Sequence, residues 1–392
     1  MICSKITVMK IKGSKFILLA AAVGVLLAFS HCKKKDSNEQ DPPPPPPTPE
    51  DSVYYRGMDL SFQPEVSEWQ TQYYDVAGQP VQLLPYVAEK GVNLVRLRLW
   101  HTPDTSFNGL ESVLEYAMEV KNNGMDILLD FHYSDRWADP GQQFIPEAWK
   151  NLSQELLSDS IYHYTFRVLE RFKAEGALPA MVQIGNETNA GFMWNQGRVG
   201  GSFNSNWGNY TTLVKSAVAA VRDAEEEKEI RVMLHIAGVN SATWFFDNIT
   251  QYLVDYDVVG LSFYSIWHGT NFNAWEQKFL EIANRYNKEI MVVETGYPWT
   301  LGWNDWTNNI YGLEEQLFPD IPATPEGQLQ FLQRLDATIS SLGKKGIGYC
   351  YWASDWVAYK GAQAENGSTW ENVATFDFDN KALPVMEAFA GK

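Results

Sequence analysis

Eight short apolar runs, each separated from the next by a longer segment with helical periodicity, restrict the folds open to this chain more than any other feature. The runs are Tyr55–Ser61, Asn93–Trp100, Asp126–His132, Met181–Asn186, Arg231–His235, Val258–Tyr264, Glu289–Glu294 and Gly346–Trp352. Between them lie amphipathic stretches such as Leu110–Lys121, Ser160–Ala174, Tyr210–Glu225, Trp275–Tyr286 and Pro325–Leu342. Runs this short and apolar read as strands buried on both faces, and intervening helices impose parallel pairing through right-handed crossovers. Eight such units in roughly 340 residues predict an α/β chain folded as a single (β/α)8 TIM barrel with long βα loops. A doubly wound open sheet is the rival. No Gly-x-Gly-x-x-Gly opens a helix after the first run, so the usual nucleotide signature of that fold is missing. Neither an internal repeat nor a second folded domain is evident.

A barrel of this kind carries its chemistry at the C-terminal ends of its strands. The first run ends at Asp59-Leu60-Ser61, and the second gives Arg96, Arg98 and Trp100. The third gives His132, then Asp135 and Trp137; the fourth gives Asn186 and Glu187. His235 ends the fifth, Tyr264 and then His268 the sixth, Glu294 the seventh, and Trp352 the eighth, followed by Asp355 and Trp356. Each has an ordinary reading: a strand-end His is commonly a satisfied core residue, a lone Arg an ion-pair partner, a Trp a packed indole. Their gathering at one end of eight strands is what a purely structural barrel does not need.

Glu187 and Glu294 stand out among them. Each ends an apolar run, where a charge is costly unless it is paired or used. Two carboxylates at the ends of parallel strands suit glycoside hydrolysis, in which one protonates the leaving oxygen and the other attacks or activates water. A separation of about 5 Å would mean retention of anomeric configuration, and about 6.5–9.5 Å inversion. Asn186, Tyr264 and the fixed charge of Arg98 beside Glu294 would keep it ionised, as a nucleophile must be, while Glu187 must hold a proton. No His-x-His or His-Glu-x-x-His spacing is present, so a catalytic metal is not expected.

Bulk properties narrow the ligand. The formal charge is −17, and becomes more negative without Lys5, Lys10, Lys12 and Lys15. Such a body repels nucleic acid and other polyanions, whereas a neutral polysaccharide fits. Fifteen Trp supply flat faces of the kind on which sugar rings stack.

The chain begins with those four lysines and an apolar stretch from Phe16 to Phe29, too short for a comfortable membrane span. Ser30, His31 and Cys32 follow, then Lys33-Lys34-Lys35-Asp36. A cysteine so placed resembles a bacterial lipoprotein signal, with Cys32 as the lipidated first residue; His31 departs from the usual small residue. The alternative is ordinary secretion with an incidental Cys. Residues 1–31 are therefore expected to be a signal peptide. Residues 32–52 would be an anchor and spacer containing the unbroken Pro42–Pro47, and residues 53–392 the folded body. The body would cross the inner membrane and be held by lipid at the outer membrane or cell surface, as a monomer. Cys350 alone remains in the body, which excludes an internal disulfide.

At the level of motifs, Asp130-Phe-His-Tyr-Ser-Asp-Arg-Trp-Ala-Asp-Pro140 and Val182-Gln-Ile-Gly-Asn-Glu-Thr-Asn189 resemble glycoside hydrolase family 53. So do Val95-Arg-Leu-Arg-Leu-Trp100, Leu261-Ser-Phe-Tyr264, Gly348-Tyr-Cys-Tyr-Trp352 and Trp370-Glu-Asn-Val-Ala-Thr-Phe-Asp377. The likeness runs from about Tyr55 to Ala390. It implies a retaining endo-β-1,4-galactanase acting on type I arabinogalactan, with Glu187 as acid/base and Glu294 as nucleophile. It implies that Asn186 contacts the sugar 2-hydroxyl, that Arg98, His132, His235 and Tyr264 order the carboxylates and the −1 sugar, and that Trp352 forms its floor. Asp59, Trp100, Trp137, Asn189, Trp194, Trp299 and Trp356 are candidates for the rest of the cleft. No cofactor is implied for catalysis. A structural calcium is implied between the loops after the seventh and eighth strands, where Asp305, Asn309, Ser368 and Glu371 could serve. The run Trp303-Asn304-Asp305-Trp306-Thr307-Asn308-Asn309 lacks an acidic residue at 303 and a His at 307. Two other readings stay open: a β-1,4-mannanase or cellulase with the same core, and a surface protein that binds glycan without cutting it.

Overall fold

A computed structural model describes residues 53–225 and 230–391. The expected signal peptide, Cys32 and the proline-rich spacer lie outside the described residues. Eight parallel strands close into a barrel: β1 (Tyr55–Asp59), β2 (Leu94–Leu99), β3 (Asp126–Phe131), β4 (Met181–Ile184), β5 (Arg231–Ala237), β6 (Val258–Phe263), β7 (Glu289–Thr295) and β8 (Gly346–Tyr351). Each pairs with its sequence neighbours, and β8 closes on β1. The chain is thus a (β/α)8 barrel, as the alternation of its runs requires.

The long crossover helices are α3 (Leu110–Asn122), α4 (Gln154–Ala174), α5 (Trp207–Ala224), α8 (Phe272–Tyr286) and α9 (Pro325–Ser340). Their starts are written in the sequence. The Ser153 hydroxyl accepts from Leu156 N at the head of α4, and Asn271 from Ala274 N at the head of α8. Thr324 does the same for α9, whose first residue is Pro325. Two shorter crossovers, α2 (Leu83–Glu89) and α6 (Ala242–Gln251), bury one face each, α6 through Ala242, Phe245, Phe246 and Ile249, and two brief helices, α1 (Gln63–Glu68) and α7 (Ser265–His268), lie in the loops after β1 and β6.

Strand periodicity sorts the side chains into two sets. Val95, Leu97 and Leu99 of β2 join the large core between barrel and helices, as do Ile127, Leu129 and Phe131 of β3. A separate cluster of Tyr55, Leu94, Leu128, Met181, Met233, Val258, Met291, Val293, Ile347 and Cys350 draws on every strand and fills the lower lumen. The lumen is tight. A Cβ on Gly57 would lie 2.5 Å from Cys350 Sγ, and one on Gly260 2.6 Å from Met233 Sδ, so these two positions pair absent side chains with large neighbours. Two residues above Leu94, Leu128, Met181 and Met233, the same lumen face carries Arg96, Asp130, Gln183 and His235. The interior changes from apolar to charged within one layer.

The seventh strand departs from regular pairing. Leu261 lies opposite Val292, but Ser262 lies opposite Glu294; on the other side Tyr349 matches Val292 while Tyr351 matches Thr295. One extra residue in β7 is therefore felt by both neighbours, which is a β-bulge. Simple alternation after lumen-facing Met291 and Val293 would turn Glu294 outward. The bulge turns it inward as well.

Candidate active site

Arg96 organises the upper lumen. It is fully buried and makes four hydrogen bonds. Nε donates to Gln183 Oε1 at 3.2 Å, Nη1 to Asp59 Oδ2 at 2.9 Å, and Nη2 to Asp130 Oδ2 and Asn186 Oδ1, both at 2.8 Å. Nη1 also forms an ion pair with Glu294 Oε1 at 2.8 Å. Burial alone would lower its pKa, but Asp130, Glu294 and Asp59 more than reverse this and hold it charged. Asp130 is the mirror case. Burial works against its charge, yet Arg96 and His132 hold its carboxyl below the usual range.

The residue expected beside Glu294 was Arg98, and here the structure corrects the sequence. Both arginines face the lumen, but the guanidinium of Arg98 lies 4.0 Å from the Trp137 ring centroid, 4.7 Å from Phe62 and 5.2 Å from Trp100. Its Nε and Nη1 have no hydrogen-bond partner. Burial lowers it to about 10. One layer higher than Arg96, it belongs to the aromatic wall and not to Glu294.

Glu294 is gripped at both oxygens, Oε1 by Arg96 and Oε2 by the Tyr264 hydroxyl at 3.3 Å. Glu187, partly exposed, has a left-handed backbone with φ 46°, a strained conformation for a residue with a side chain. It receives one side-chain donor, the Ser262 hydroxyl, at 2.5 Å on Oε1. Burial pushes both carboxyls up, Glu187 to about 7 and Glu294 to about 8, and their mutual repulsion adds to the rise of Glu294. Two acids that repel one another within one site titrate as one unit that retains a proton near neutrality. The 2.8 Å ion pair with Arg96 places the first negative charge on Glu294 and leaves the proton to Glu187.

The histidines are neutral supports. His132 Nε2 donates to Asp130 at 3.0 Å, while its Nδ1 accepts from Trp100 Nε1 and Ala138 N, each at 3.2 Å. His235 accepts at Nδ1 from Gln183 Nε2 at 3.0 Å and Glu187 N at 3.3 Å, and its Nε2 lies 2.8 Å from Ser262 Oγ. Burial pushes both below the ordinary imidazole range. Asn186 Oδ1 accepts from Arg96, and its Nδ2 donates to Ala138 O at 2.8 Å.

One wall of the cleft is aromatic. Trp137 stands 5.6 Å from Trp100 and 6.0 Å from Trp352, and Phe62 stacks 3.7 Å from Trp356. Opposite, Tyr264, Trp267 and Trp370 form a second group at 5.2–6.0 Å spacings. Phe62, Trp267 and Trp370 escaped the strand-end reading because they lie beyond the strands. Three expected cleft residues have contacts with loop neighbours. Asn189 closes its loop on the end of β5, donating to Ala237 O at 2.9 Å and accepting from Ala237 N at 2.7 Å. Trp194 donates to Ala190 O and is covered by Arg198, and Trp299 lies against Phe378. Gln183 and Ser262 were missed, although each is a polar residue at a lumen-facing position of an apolar run.

The loops after β7 and β8 bring together Asp305, Asn309 and Glu371. Asp305 Oδ1 accepts from Thr307 N at 2.7 Å, and Glu371 Oε1 from Asn304 N at 2.6 Å. Asp305 Oδ2, Asn309 Oδ1 and Glu371 Oε2 are buried and accept nothing. Three orphaned oxygens, two of them carboxylate, fit a hard cation. Ser368 does not join them. Its hydroxyl donates to Trp356 O at 2.6 Å and accepts from Trp370 N at 3.1 Å.

The sequence profile of Glycosyl hydrolase family 53 matches residues 55–389. An arabinogalactan endo-β-1,4-galactanase of Cellvibrio japonicus (strain Ueda107) is 38% identical over 348 residues, covering 87% of this chain and 91% of that protein. An endo-β-1,4-galactanase of Bacillus subtilis (strain 168) is 30% identical, covering 86% of this chain and 85% of that protein. Among solved structures, the Ignisphaera aggregans GH53 catalytic domain superposes with a TM-score of 0.80 at 37% identity, covering 88% of this chain and 97% of that domain. With barrel, carboxylate pair and relatives in agreement, this chain belongs to glycosyl hydrolase family 53 and is a glycoside hydrolase.

Proposed function

We propose that this chain is a retaining endo-β-1,4-galactanase that cuts β-1,4-galactan into galactooligosaccharides, with Glu294 as nucleophile and Glu187 as acid/base. The observation that carries the assignment is the asymmetry of the pair: Glu294 meets a guanidinium and a phenol, whereas Glu187 meets a single hydroxyl. Glu294 attacks the anomeric carbon while Glu187 protonates the departing oxygen. Glu187, now ionised, takes a proton from the water that releases the sugar from Glu294. Asn186 and the Trp352 face bind the sugar at the point of cleavage. The galactan substrate is supported by the names of the relatives. The leader and Cys32 support export and a lipid tether for a monomeric body. Asp305, Asn309 and Glu371 would hold a calcium ion that ties the two loops together and takes no part in the chemistry.

The test is turnover of residues 53–392 on β-1,4-galactan, with β-1,4-mannan and carboxymethylcellulose in parallel. NMR identifies the first anomer released. Short galactooligosaccharides of β configuration from galactan alone are expected, with none from Glu294→Gln. Cleavage of mannan or cellulose instead would overturn the substrate. First products of α configuration would overturn the assigned mechanism, and binding without turnover would make the chain a glycan-capture protein.

A further inference from the structure

We propose that Ser262 is a positioning residue which, backed by neutral His235, keeps the working proton of Glu187 on Oε2. The proposal rests on the acid/base role given to Glu187 above.

Ser262 is buried in β6 and faces the lumen. Its hydroxyl lies 2.5 Å from Glu187 Oε1 and 2.8 Å from His235 Nε2. A serine hydroxyl has one hydrogen, so the direction of the chain is a matter of tautomer. The surroundings of His235 decide it. Its Nδ1 faces the Glu187 backbone N–H at 3.3 Å, the amide Nε2 of Gln183 at 3.0 Å and Asn186 Oδ1 at 3.1 Å. Gln183 cannot be flipped, because its Oε1 accepts from Arg96 and its Nε2 donates to Asp130 Oδ1 at 2.6 Å. Asn186 Oδ1 already accepts from Arg96 Nη2 at 2.8 Å and Gln183 Nε2 at 3.2 Å. A hydrogen on Nδ1 would point at the Glu187 N–H and take away the acceptor of that buried donor, so Nδ1 holds a lone pair and Nε2 the hydrogen. His235 donates to Ser262, and the Ser262 hydrogen is left for Glu187 Oε1. Burial keeps His235 neutral, so the order does not reverse near neutral pH.

Two consequences follow for Glu187. Oε1 accepts from Ser262 whether the carboxyl is charged or neutral, so the acidic hydrogen sits on Oε2. That oxygen alone gives the proton to the leaving group and takes it back from water. The donor also stabilises the charged form and draws Glu187 down against the lift of burial, towards the range where one group can serve as acid and then as base. A serine present only to satisfy a buried histidine would do neither.

The test uses Ser262→Ala and Ser262→Thr, with Glu187→Ala as reference, on two substrates. One is β-1,4-galactan, whose leaving group needs a proton. The other is a 2,4-dinitrophenyl β-1,4-galactobioside, whose leaving group needs none. Ser262→Ala is expected to lose about 10- to 100-fold in kcat/KM on galactan. It should keep kcat/KM on the dinitrophenyl substrate within about twofold and move the alkaline limb of its galactan profile upward. Ser262→Thr, which retains the hydroxyl, should recover most of the loss. An equal loss on both substrates, or an unmoved pH profile, would reduce Ser262 to a structural residue and overturn the proposal, as would an unimpaired Ser262→Ala. If Glu187→Ala itself lost equally on both substrates, the acid/base assignment would be at fault and not the role of Ser262.

Discussion

Asp59, Asp130 and Glu294 meet inside the barrel; Asp305 and Glu371 meet in the loops above it. Both groups are out of water, but they are neutralised differently. In the barrel the chain supplies the cation: Arg96 reaches all three acids within 3 Å. In the loops, among the described residues, no Lys or Arg forms an ion pair with Asp305 or Glu371, and two carboxylate oxygens and an amide oxygen accept nothing. A site that must keep one geometry through every turnover carries its counter-charge covalently. A site that joins two loops can borrow one from solution. Burial and the neighbouring Asp305 meanwhile push the Glu371 carboxyl up, which a bound cation would reverse.

The comparison breaks most visibly at Arg96. Replacing it with Met strands three buried acids, so a loss of about 3–5 kcal/mol in urea unfolding at pH 7 is expected, together with loss of turnover. A variant with normal stability would show that the acids do not depend on it. In the loops the corresponding loss comes from outside. Calcium at a hundred times its Kd should stabilise the protein by about 2.7 kcal/mol, a chelator should remove that gain, and Asp305→Ala should be insensitive to both. A thermal midpoint indifferent to calcium would leave the orphaned oxygens without a cation.

The pH dependence sharpens the contrast further. The folded pair titrates near 7 and 8 against 4.5 for a free Glu, so the native state binds more protons and stability falls as pH rises through that interval. Glu187→Gln removes one of the two groups. Its stability should decline less between pH 5 and 8, by about 1–2 kcal/mol once the partial exposure of Glu187 is discounted. Parallel curves for the two proteins would argue against a shared proton. The smallest effect belongs to Arg98→Met. With no carboxylate in contact, its apolar replacement among Phe62, Trp100 and Trp137 should change stability by less than about 1.5 kcal/mol. A loss equal to that of Arg96→Met would erase the distinction between the two arginines.

These two arginines also mark how far the sequence could be read. The eight runs located the strands because apolar alternation survives in a single chain, and Glu187 and Glu294 stood out as charges ending such runs. Which of Arg96 and Arg98 reaches Glu294 depends on height in the lumen. A period of two gives both the same face and says nothing of layer. Ser262 was hidden for a related reason: a small hydroxyl in Val-Val-Gly-Leu-Ser-Phe does little to the hydropathy pattern, and its importance comes only from what β4 and β5 place beside it. Ser368 failed as a loop ligand because its hydroxyl already serves its own turn, a local contact invisible to residue type. Phe62, Trp267 and Trp370 lie beyond the strands, where no periodicity points.

The extra residue in β7 has a consequence for how such a chain can vary. Val293 and Glu294 both face the lumen because the strand holds one residue more than its neighbours accommodate. Val292 or Val293 can be exchanged for another apolar residue with little effect on that count. Removing either one would restore regular alternation and still leave the carboxylate facing the lumen, opposite Ser262. The strand is therefore tolerant of spelling and, as far as the facing of its carboxylate goes, of length: a single in-frame codon deletion here would keep the glutamate on its side of the sheet and take one apolar side chain from the floor beneath it.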